Sequence, residues 1–158
     1  MIFGNSGSGK SFLAKDLATI NKLAHLDLDS VAWKATITLE RLPIFESKKL
    51  IDDFLSANEG WVIEGCYADL LTLITPLSDE IIFLNLPVAA CVLNSKSRPW
   101  EPHKYKNKEA QDANLEMLID WISQYTTRID TFSKVAHEKL FDEFKGKKTM
   151  HLSNEHRK

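Results

Sequence analysis

Short apolar runs alternate with amphipathic stretches along the chain. Four runs have the length of strands, near residues 1–3, 23–28, 61–63 and 80–86, and apolar residues recur between them at the three- and four-residue spacing of helices. The run at 80–86 is almost continuously apolar, which is typical of a parallel strand covered on both faces. This alternation predicts an open doubly wound sheet with helices on both faces and a site at the carboxyl ends of the strands.

The second half of the chain continues the pattern after one interruption. Residues 96–108 contain two prolines and five Lys or Arg against the single acid Glu101, which predicts a basic loop. The remaining predictions are helices over 10–20, 46–57, 67–74, 87–93, 115–125 and 132–144, and a last strand around 148–152. Only three residues precede Gly4, so the first strand is short for the central strand that the order of elements predicts.

Residues Gly4 to Ser11 match the pattern G-x-x-x-x-G-K-[ST] between a predicted strand and a predicted helix. In such a loop the backbone N–H groups and the helix N-terminus bind polyphosphate. We predict that Lys10 reaches the β- and γ-phosphates of ATP and that the Ser11 hydroxyl ligates Mg²⁺. The predicted nucleotide-binding residues are Gly4, Asn5, Ser6, Gly7, Ser8, Gly9, Lys10, Ser11 and Phe12.

Carboxylates follow two other predicted strands. Glu64 ends the run Trp-Val-Ile, where an acid can hold a water on Mg²⁺ or orient an attacking group. Asp27 and Asp29 are predicted to end their strand facing the same way, since they are two residues apart. One of the pair could contact Mg²⁺ through water, which makes Ser11, Asp27 and Glu64 the predicted metal residues. Asp29 is the preferred partner of an acceptor hydroxyl, and turn or cap formation is the alternative for these acids.

Arg98 is the best-placed arginine for catalysis. It opens the basic loop, where its guanidinium could close over a triphosphate and exclude water, with help from Lys104 and Lys106. Arg41 and Arg128 are weaker candidates, and Arg157 lies near the last residue. The predicted catalytic residues are therefore Lys10, Asp29, Glu64 and Arg98.

The aromatic and histidine residues give weaker signals. Trp33, Phe45, Tyr67 and Trp100 could stack on a base or sugar, although aromatic residues in a small domain more often pack in the core. His103 and His137 show no metal-ligand spacing with each other or with the cysteines, so each is interpreted as a satisfied or exposed histidine.

Composition narrows the class of protein. The 158 residues carry 20 Lys and Arg against 22 Asp and Glu, and the isoelectric point near 6.2 argues against direct binding of nucleic acid or of an anionic membrane. Cys66 and Cys91 form neither a disulfide framework nor a zinc motif, and we expect a reducing cytoplasm. No apolar run is long enough to cross a bilayer and no signal peptide is recognisable, so a soluble intracellular protein is expected. We expect a monomer or a homodimer.

The loop is similar to the Gly-x-x-Gly-x-Gly-Lys-[Ser/Thr] form of nucleotide and small-metabolite kinases. With His-Leu-Asp-Leu-Asp at 25–29, Trp-Val-Ile-Glu-Gly at 61–65 and Arg-Pro-Trp-Glu-Pro-His-Lys-Tyr at 98–105, nearly the whole chain resembles the adenylate-kinase-like DNA topology modulation proteins. This resemblance implies a three-layer α/β/α P-loop NTPase fold of the nucleoside-monophosphate-kinase type, with a five-stranded parallel sheet. It also implies one domain over 1–158, an acceptor-side helical region near 30–57 and a lid near 96–110.

Two departures bear on the acceptor. Adenylate kinases usually carry Asp-Gly-Phe-Pro-Arg where this chain has Glu64-Gly65-Cys66-Tyr67-Ala68, so the arginine that would grip a monophosphate is missing. The Asp-x-Asp at 27 and 29 is more similar to shikimate or gluconate kinases, whose glycine-rich acceptor motif is absent.

We therefore expect a kinase that transfers the γ-phosphoryl group of ATP, with Mg²⁺, to a nucleotide or a small hydroxylated metabolite. The alternative is a nucleotide-binding regulatory module or slow ATPase that acts on a protein or DNA partner. A GTPase is disfavoured because the base-reading motif Asn-Lys-x-Asp is absent: Leu23-Ala24 follows Asn21-Lys22.

Overall fold

The structure, a computed structural model, describes residues 1–36 and 39–155. Its strands are β1 (Ile2–Gly4), β2 (Ala24–Asp27), β3 (Trp61–Gly65), β4 (Glu80–Leu84) and β5 (Lys147–His151). They form one parallel sheet in the order β2-β3-β1-β4-β5. The expected five-stranded parallel sheet is confirmed, and the short β1 occupies its centre, with Ile2 opposite Glu64 on one side and Ile82 on the other.

Helices connect and cover the strands. They are α1 (Lys10–Asn21), α2 (Asp29–Ala32), α3 (Ile44–Ala57), α4 (Ala68–Ile74), α5 (Val88–Ser97), α6 (Lys108–Ala113), α7 (Leu115–Ser123) and α8 (Lys134–Glu143). One-turn 3₁₀ segments follow α4 and α7, at Thr75–Leu77 and Gln124–Thr126.

Around its central strands β1, β3 and β4, the sheet is largely apolar and is covered on both faces. On one face the buried side chains of Phe3, Ile63 and Phe83 pack with residues of α2, α3, α4 and α8, and the Phe3 and Phe83 rings stack with centroids 4.9 Å apart. On the other face Ile2 and Val62 pack with residues of α1, α5 and α7. Adjacent strand residues thus face opposite layers, as the pleat requires, and the result is the expected three-layer α/β/α arrangement.

Some predicted boundaries differ from the structure. The strand predicted over 80–86 ends at Leu84, and the helix predicted to reach residue 125 is α-helical only to Ser123 before the 3₁₀ turn. The predicted acceptor-side region contains α2, an isolated antiparallel bridge between Trp33 and Arg41, and α3. Two of its residues, 37 and 38, and the candidate Arg157 lie outside the described residues.

The prediction that Asp29 ends a strand is wrong. β2 stops at Asp27, and Asp29 is the first residue of α2. The side chain of Asp27 causes the turn in part, because its Oδ1 accepts the backbone N–H of Asp29 at 2.9 Å. This is the turn-forming role that aspartate commonly takes after a strand.

Candidate active site

The loop from Gly4 to Gly9 connects the central strand to α1 in a conformation that requires glycine. Gly7 has φ +75°, and a Cβ there would lie 2.4 Å from the carbonyl oxygen of Cys91. Gly4 has φ +149° and is equally close to the Leu84 carbonyl oxygen. A larger residue at either position would force the loop away from its neighbours, so the glycines of the motif have a direct steric cause.

Hydrogen bonds with residues of three helices, α1, α5 and α7, hold this loop in place. Asn5 donates from Nδ2 to the Ile122 carbonyl at 3.1 Å, and Asn94 donates to the Gly7 carbonyl at 2.8 Å. Lys10 is 9% exposed and donates from Nζ to the Asn5 carbonyl at 2.9 Å. The ammonium group therefore lies across the loop whose backbone N–H groups the motif predicts to bind phosphate.

Two cavities open at the carboxyl ends of the strands. The loop cavity has a volume of about 460 Å³, and its lining includes Lys10, Ser11, Phe12, Glu64 and Arg98. The aromatic cavity has a volume of about 970 Å³ and is lined on one side by Trp33, Tyr67 and Trp121.

The two cavities share a wall. It contains Asp27, Asp29, Lys104 and Tyr105, which line both. Two ligands, one in each cavity, would both contact the carboxylates of this wall. Transfer of a group from one ligand to the other needs such an arrangement.

Asp27 and Asp29, the carboxylate pair, converge on one cation. The Nζ of Lys104 lies 3.3 Å from an Asp27 oxygen and 3.1 Å from an Asp29 oxygen. The pair therefore faces one way, as predicted, although a lysine and a turn bring it together rather than strand alternation. The contact of Lys104 with these carboxylates is not predictable from the sequence, because 75 residues separate Lys104 from Asp29.

The two acids have opposite pKa shifts. Burial raises the pKa of Asp27, and the nearby charges of Glu64 and Asp29 raise it further. Burial also acts to raise the pKa of Asp29, but the charge of Lys104 and the Tyr67 hydroxyl outweigh it and hold this pKa below its usual value. Asp29 is therefore the member of the pair that stays ionised as pH falls.

Tyr67 positions Asp29 through a short chain of hydrogen bonds. Its hydroxyl donates to Asp29 Oδ1 at 2.5 Å and accepts the indole N–H of Trp33 at 2.7 Å. From the sequence alone, stacking on a ligand or packing in the core is expected of both aromatic residues, and these hydrogen bonds are not. The signal for the hydrogen bonds was the place of Tyr67, directly after the strand that carries Glu64.

Glu64 lies at the floor of the loop cavity and is 1% exposed. Its Oε1 is 3.6 Å from His25 Nε2, and within the described residues this oxygen accepts no hydrogen bond. Gly65 follows, where a Cβ would press on Leu28 at 2.8 Å. Because Glu64 also lines the polar loop cavity, its carboxylate is chemically suited to bind a water or a metal-bound water there.

The structure separates the three described arginines. Arg98 lines the loop cavity, and its guanidinium lies 3.0 Å from Glu101 and 5.7 Å from the Tyr105 ring centroid. Arg41 and Arg128 are instead paired with Asp69 and Asp130, at 3.1 Å and 2.6 Å, and line neither cavity.

The lid segment, residues 98–107, is folded over the carboxylate pair. Gln111 anchors it by accepting the Glu101 N–H at 2.9 Å and donating to the Pro99 carbonyl at 3.1 Å. Lys104 reaches the carboxylates from this segment, and α6 begins directly after it. The predicted lid over 96–110 therefore contains the last residues of α5 and the start of α6 as well as irregular chain.

The remaining candidates divide between the site and the rest of the fold. His103 lines the aromatic cavity, whereas Phe45 is 72% exposed and Trp100 is 44% exposed, away from both cavities. His137 is fully buried between the Cys66 carbonyl at 3.0 Å and the Tyr125 hydroxyl at 2.9 Å, which confirms it as a satisfied histidine. Burial raises the pKa of the Cys66 thiol, on the floor of the loop cavity, to about 12.

The donor set fits Mg²⁺ bound together with a nucleotide. Magnesium usually takes one or two protein oxygens and completes its shell with phosphates and water. Ser11, Asp27 and Glu64 supply oxygens to the loop cavity that also contains Lys10. Within residues 1–36 and 39–155, no group of three His, Cys, Asp or Glu side chains is placed to hold a metal ion by protein ligands alone.

Comparisons with known proteins bear on the fold. No protein-family model matches the chain. It is 26% identical over 142 residues to the uncharacterized protein YqaC of Bacillus subtilis (strain 168), which covers 87% of this chain and 78% of YqaC. The crystal structure of TT1252 from Thermus thermophilus matches with a TM-score of 0.53 and 15% identity, over 97% of this chain and 87% of that one. The match to TT1252 supports the α/β fold with its five-stranded parallel sheet.

In the part of the chain that the structure describes, no helix is both long and apolar enough to span a membrane.

Proposed function

We propose that this protein is a kinase that transfers the γ-phosphoryl group of ATP to a hydroxyl group of a small molecule, with Mg²⁺. The observation that carries the proposal is the shared wall: the loop cavity and the aromatic cavity meet at Asp27 and Asp29. A nucleotide bound at the glycine loop would present its terminal phosphate toward this wall, and an acceptor in the aromatic cavity would approach the same wall from the other side.

Lys10 and Ser11 would hold the phosphoryl donor. In this mechanism Lys10 exchanges its bond to the Asn5 carbonyl for phosphate oxygens, and the Ser11 hydroxyl binds the metal. When bound, Mg²⁺ would supply positive charge that offsets the negative charge of the β- and γ-phosphates. Because the transition state of phosphoryl transfer is loose, these residues act by position and charge.

Asp29 would orient the acceptor hydroxyl. The lowered pKa of its carboxyl keeps it ionised, and Tyr67 holds one of its oxygens by a hydrogen bond. An ionised carboxylate within hydrogen-bond reach aligns the hydroxyl and takes up its proton as the new bond forms. Asp27 and Glu64, which line the loop cavity, would bind the metal directly or through water.

Arg98 would complete the charge around the transferred group. It lines the loop cavity from the start of the lid segment, and its pairing with Glu101 keeps it close to that cavity before substrate arrives. A guanidinium that binds transferring phosphate more strongly than ground-state phosphate raises the rate rather than the affinity.

The test is release of ADP from ATP and Mg²⁺, with and without pools of nucleosides, nucleoside monophosphates, sugars and hydroxy acids. Lys10→Ala should lower the acceptor-dependent rate by about 10² to 10³-fold, the usual effect of losing one charge-stabilising donor. Lys15→Ala is the matched control, since Lys15 is exposed on the same helix and lines neither cavity. Circular dichroism and thermal unfolding of both variants check that the fold is kept.

Each outcome separates the functional classes. Acceleration by one pool that Lys10→Ala abolishes and Lys15→Ala preserves supports a kinase and identifies its acceptor class. ATP binding without acceleration by any pool refutes the kinase and favours the nucleotide-binding regulatory module or slow ATPase. Unchanged ATP binding and hydrolysis in Lys10→Ala refutes the assignment of the phosphate-binding loop.

A further inference from the structure

The aromatic cavity has walls suited to a flat ring. Trp33 and Trp121 line it, Tyr67 lies between the carboxylate pair and Trp33, and Met117 lines it from α7. Aromatic and thioether side chains bind planar ring faces by dispersion and by offset or edge-on contacts. A volume of about 970 Å³ is ample for a molecule with one or two rings.

The charge of this cavity disfavours an anionic acceptor. The charged groups that line it within the described residues are the two carboxylates of Asp27 and Asp29 and the ammonium of Lys104, with His103 as a titratable neighbour. The ammonium is already within 3.3 Å of both carboxylates. An incoming phosphate or carboxylate would therefore meet a net negative wall whose cation is engaged, which costs binding energy.

The arginines that could reverse this charge support the cavity wall instead. The guanidinium carbon of Arg41 lies 5.7 Å from the Trp33 ring and 4.8 Å from the Tyr67 ring. That of Arg128 lies 3.9 Å from the Trp121 ring. Each stabilises an aromatic wall residue by a cation–π contact while its charge is matched by an aspartate elsewhere.

We propose that the aromatic cavity binds an uncharged, ring-bearing alcohol of the nucleoside type and discriminates against its phosphorylated form. This inference rests on the proposed function and specifies its acceptor. In the transfer, an oxygen of the bound alcohol forms a bond to the γ-phosphorus of ATP as the bond from that phosphorus to the β–γ bridging oxygen breaks. The electron pair leaves with ADP, and the proton of the alcohol passes to Asp29 and then to solvent.

The first test compares each common nucleoside with its own 5′-monophosphate. Calorimetric titration of the whole protein without ATP measures binding, and ADP release with ATP and Mg²⁺ measures transfer. At least one nucleoside should bind 10-fold or more tightly than its monophosphate and should accelerate ADP release. The inference is overturned if no nucleoside binds, or if every nucleoside that binds is matched in affinity by its own monophosphate.

The second test places a positive charge on the cavity wall. Met117 is 54% exposed on α7, so Met117→Lys should fold normally. It should improve monophosphate binding relative to nucleoside binding by about fivefold, the scale of one partly exposed charge pair. Val135→Lys is the control, because Val135 is exposed on α8 and does not line the cavity. An equal change in both variants, or none in Met117→Lys, would contradict the charge argument.

The two measurements separate this inference from the proposed function. Nucleoside binding without ADP release would refute the kinase and support the selectivity of the cavity. ADP release with monophosphates alone would support the kinase and refute the selectivity.

Discussion

His137 should make the folded protein lose stability in acid. It is fully buried, and burial lowers its pKa from the ordinary 6.5 to about 4. The Cys66 carbonyl can only accept, so Nε2 carries the ring proton and Nδ1 accepts the Tyr125 hydroxyl. A second proton would go to Nδ1, where it disrupts this bond and places a charge among the Phe3 and Phe83 rings.

The size of the effect follows from the two pKa values. Between pH 6.5 and about 4 the unfolded chain takes up a proton at this histidine and the folded protein does not, so stability falls as pH falls through this window. Above 6.5 both states are neutral, and below about 4 both are charged. Between pH 7.5 and 4.5 the histidine alone should remove about 2.5 kcal/mol from the free energy of unfolding, at 1.36 kcal/mol per pH unit.

Urea unfolding of the wild type and of His137→Gln at these two pH values measures this effect. The variant is expected to be less stable at pH 7.5, because glutamine does not fill the imidazole site. Without a titrating group, however, it should lose about 2.5 kcal/mol less on acidification, and the carboxylates titrate in both proteins and cancel in the comparison. Parallel losses in the two proteins would refute the reasoning that His137 is neutral in the fold.

Three further predictions concern the proposed mechanism. Tyr67→Phe removes a hydrogen bond that lowers the Asp29 pKa, so the acid limb of the kcat profile should move to higher pH, and an unmoved limb would contradict the positioning role. Lys104→Met removes the cation between Asp27 and Asp29, so calorimetry should show tighter Mg²⁺ binding to the nucleotide-free protein, and weaker binding would argue against a metal role for Asp27. Arg98→Ala should reduce kcat more than ATP affinity, and a loss confined to ATP binding would count against transition-state stabilisation.

The sheet was predictable from sequence because its signals are local. β4 is almost continuously apolar, as expected of a parallel strand covered on both faces, and the glycine loop marks the end of β1 whatever its length. The short β1 can be central because Ile2 and Phe3 pair with β3 and β4 and each fills the core on its own face. Its neighbours supply the pairing that three residues alone could not stabilise.

The site was predictable only in part, because its contacts join distant segments. The ion pair of Arg128 with Asp130 could have been found from their spacing, which removes Arg128 as a free catalytic cation. The commitment of Arg41 to Asp69 could not, since 28 residues separate them. Only the folded structure shows that both arginines pack against aromatic residues that line the aromatic cavity.

The basic lid illustrates why local charge in a sequence does not identify a partner. Residues 96–108 have the composition of an anion-binding loop, yet Arg98 is paired with Glu101 and Lys104 with Asp27 and Asp29. Two of the five cations of the segment thus balance acids that line the loop cavity, which fits a small-molecule cavity better than a nucleic-acid surface. Because Lys104 holds the carboxylates that the proposed metal and acceptor would use, binding of either must weaken the lid's own ion pairs. In the proposed mechanism, movement of this segment would therefore be coupled by charge to occupation of the site.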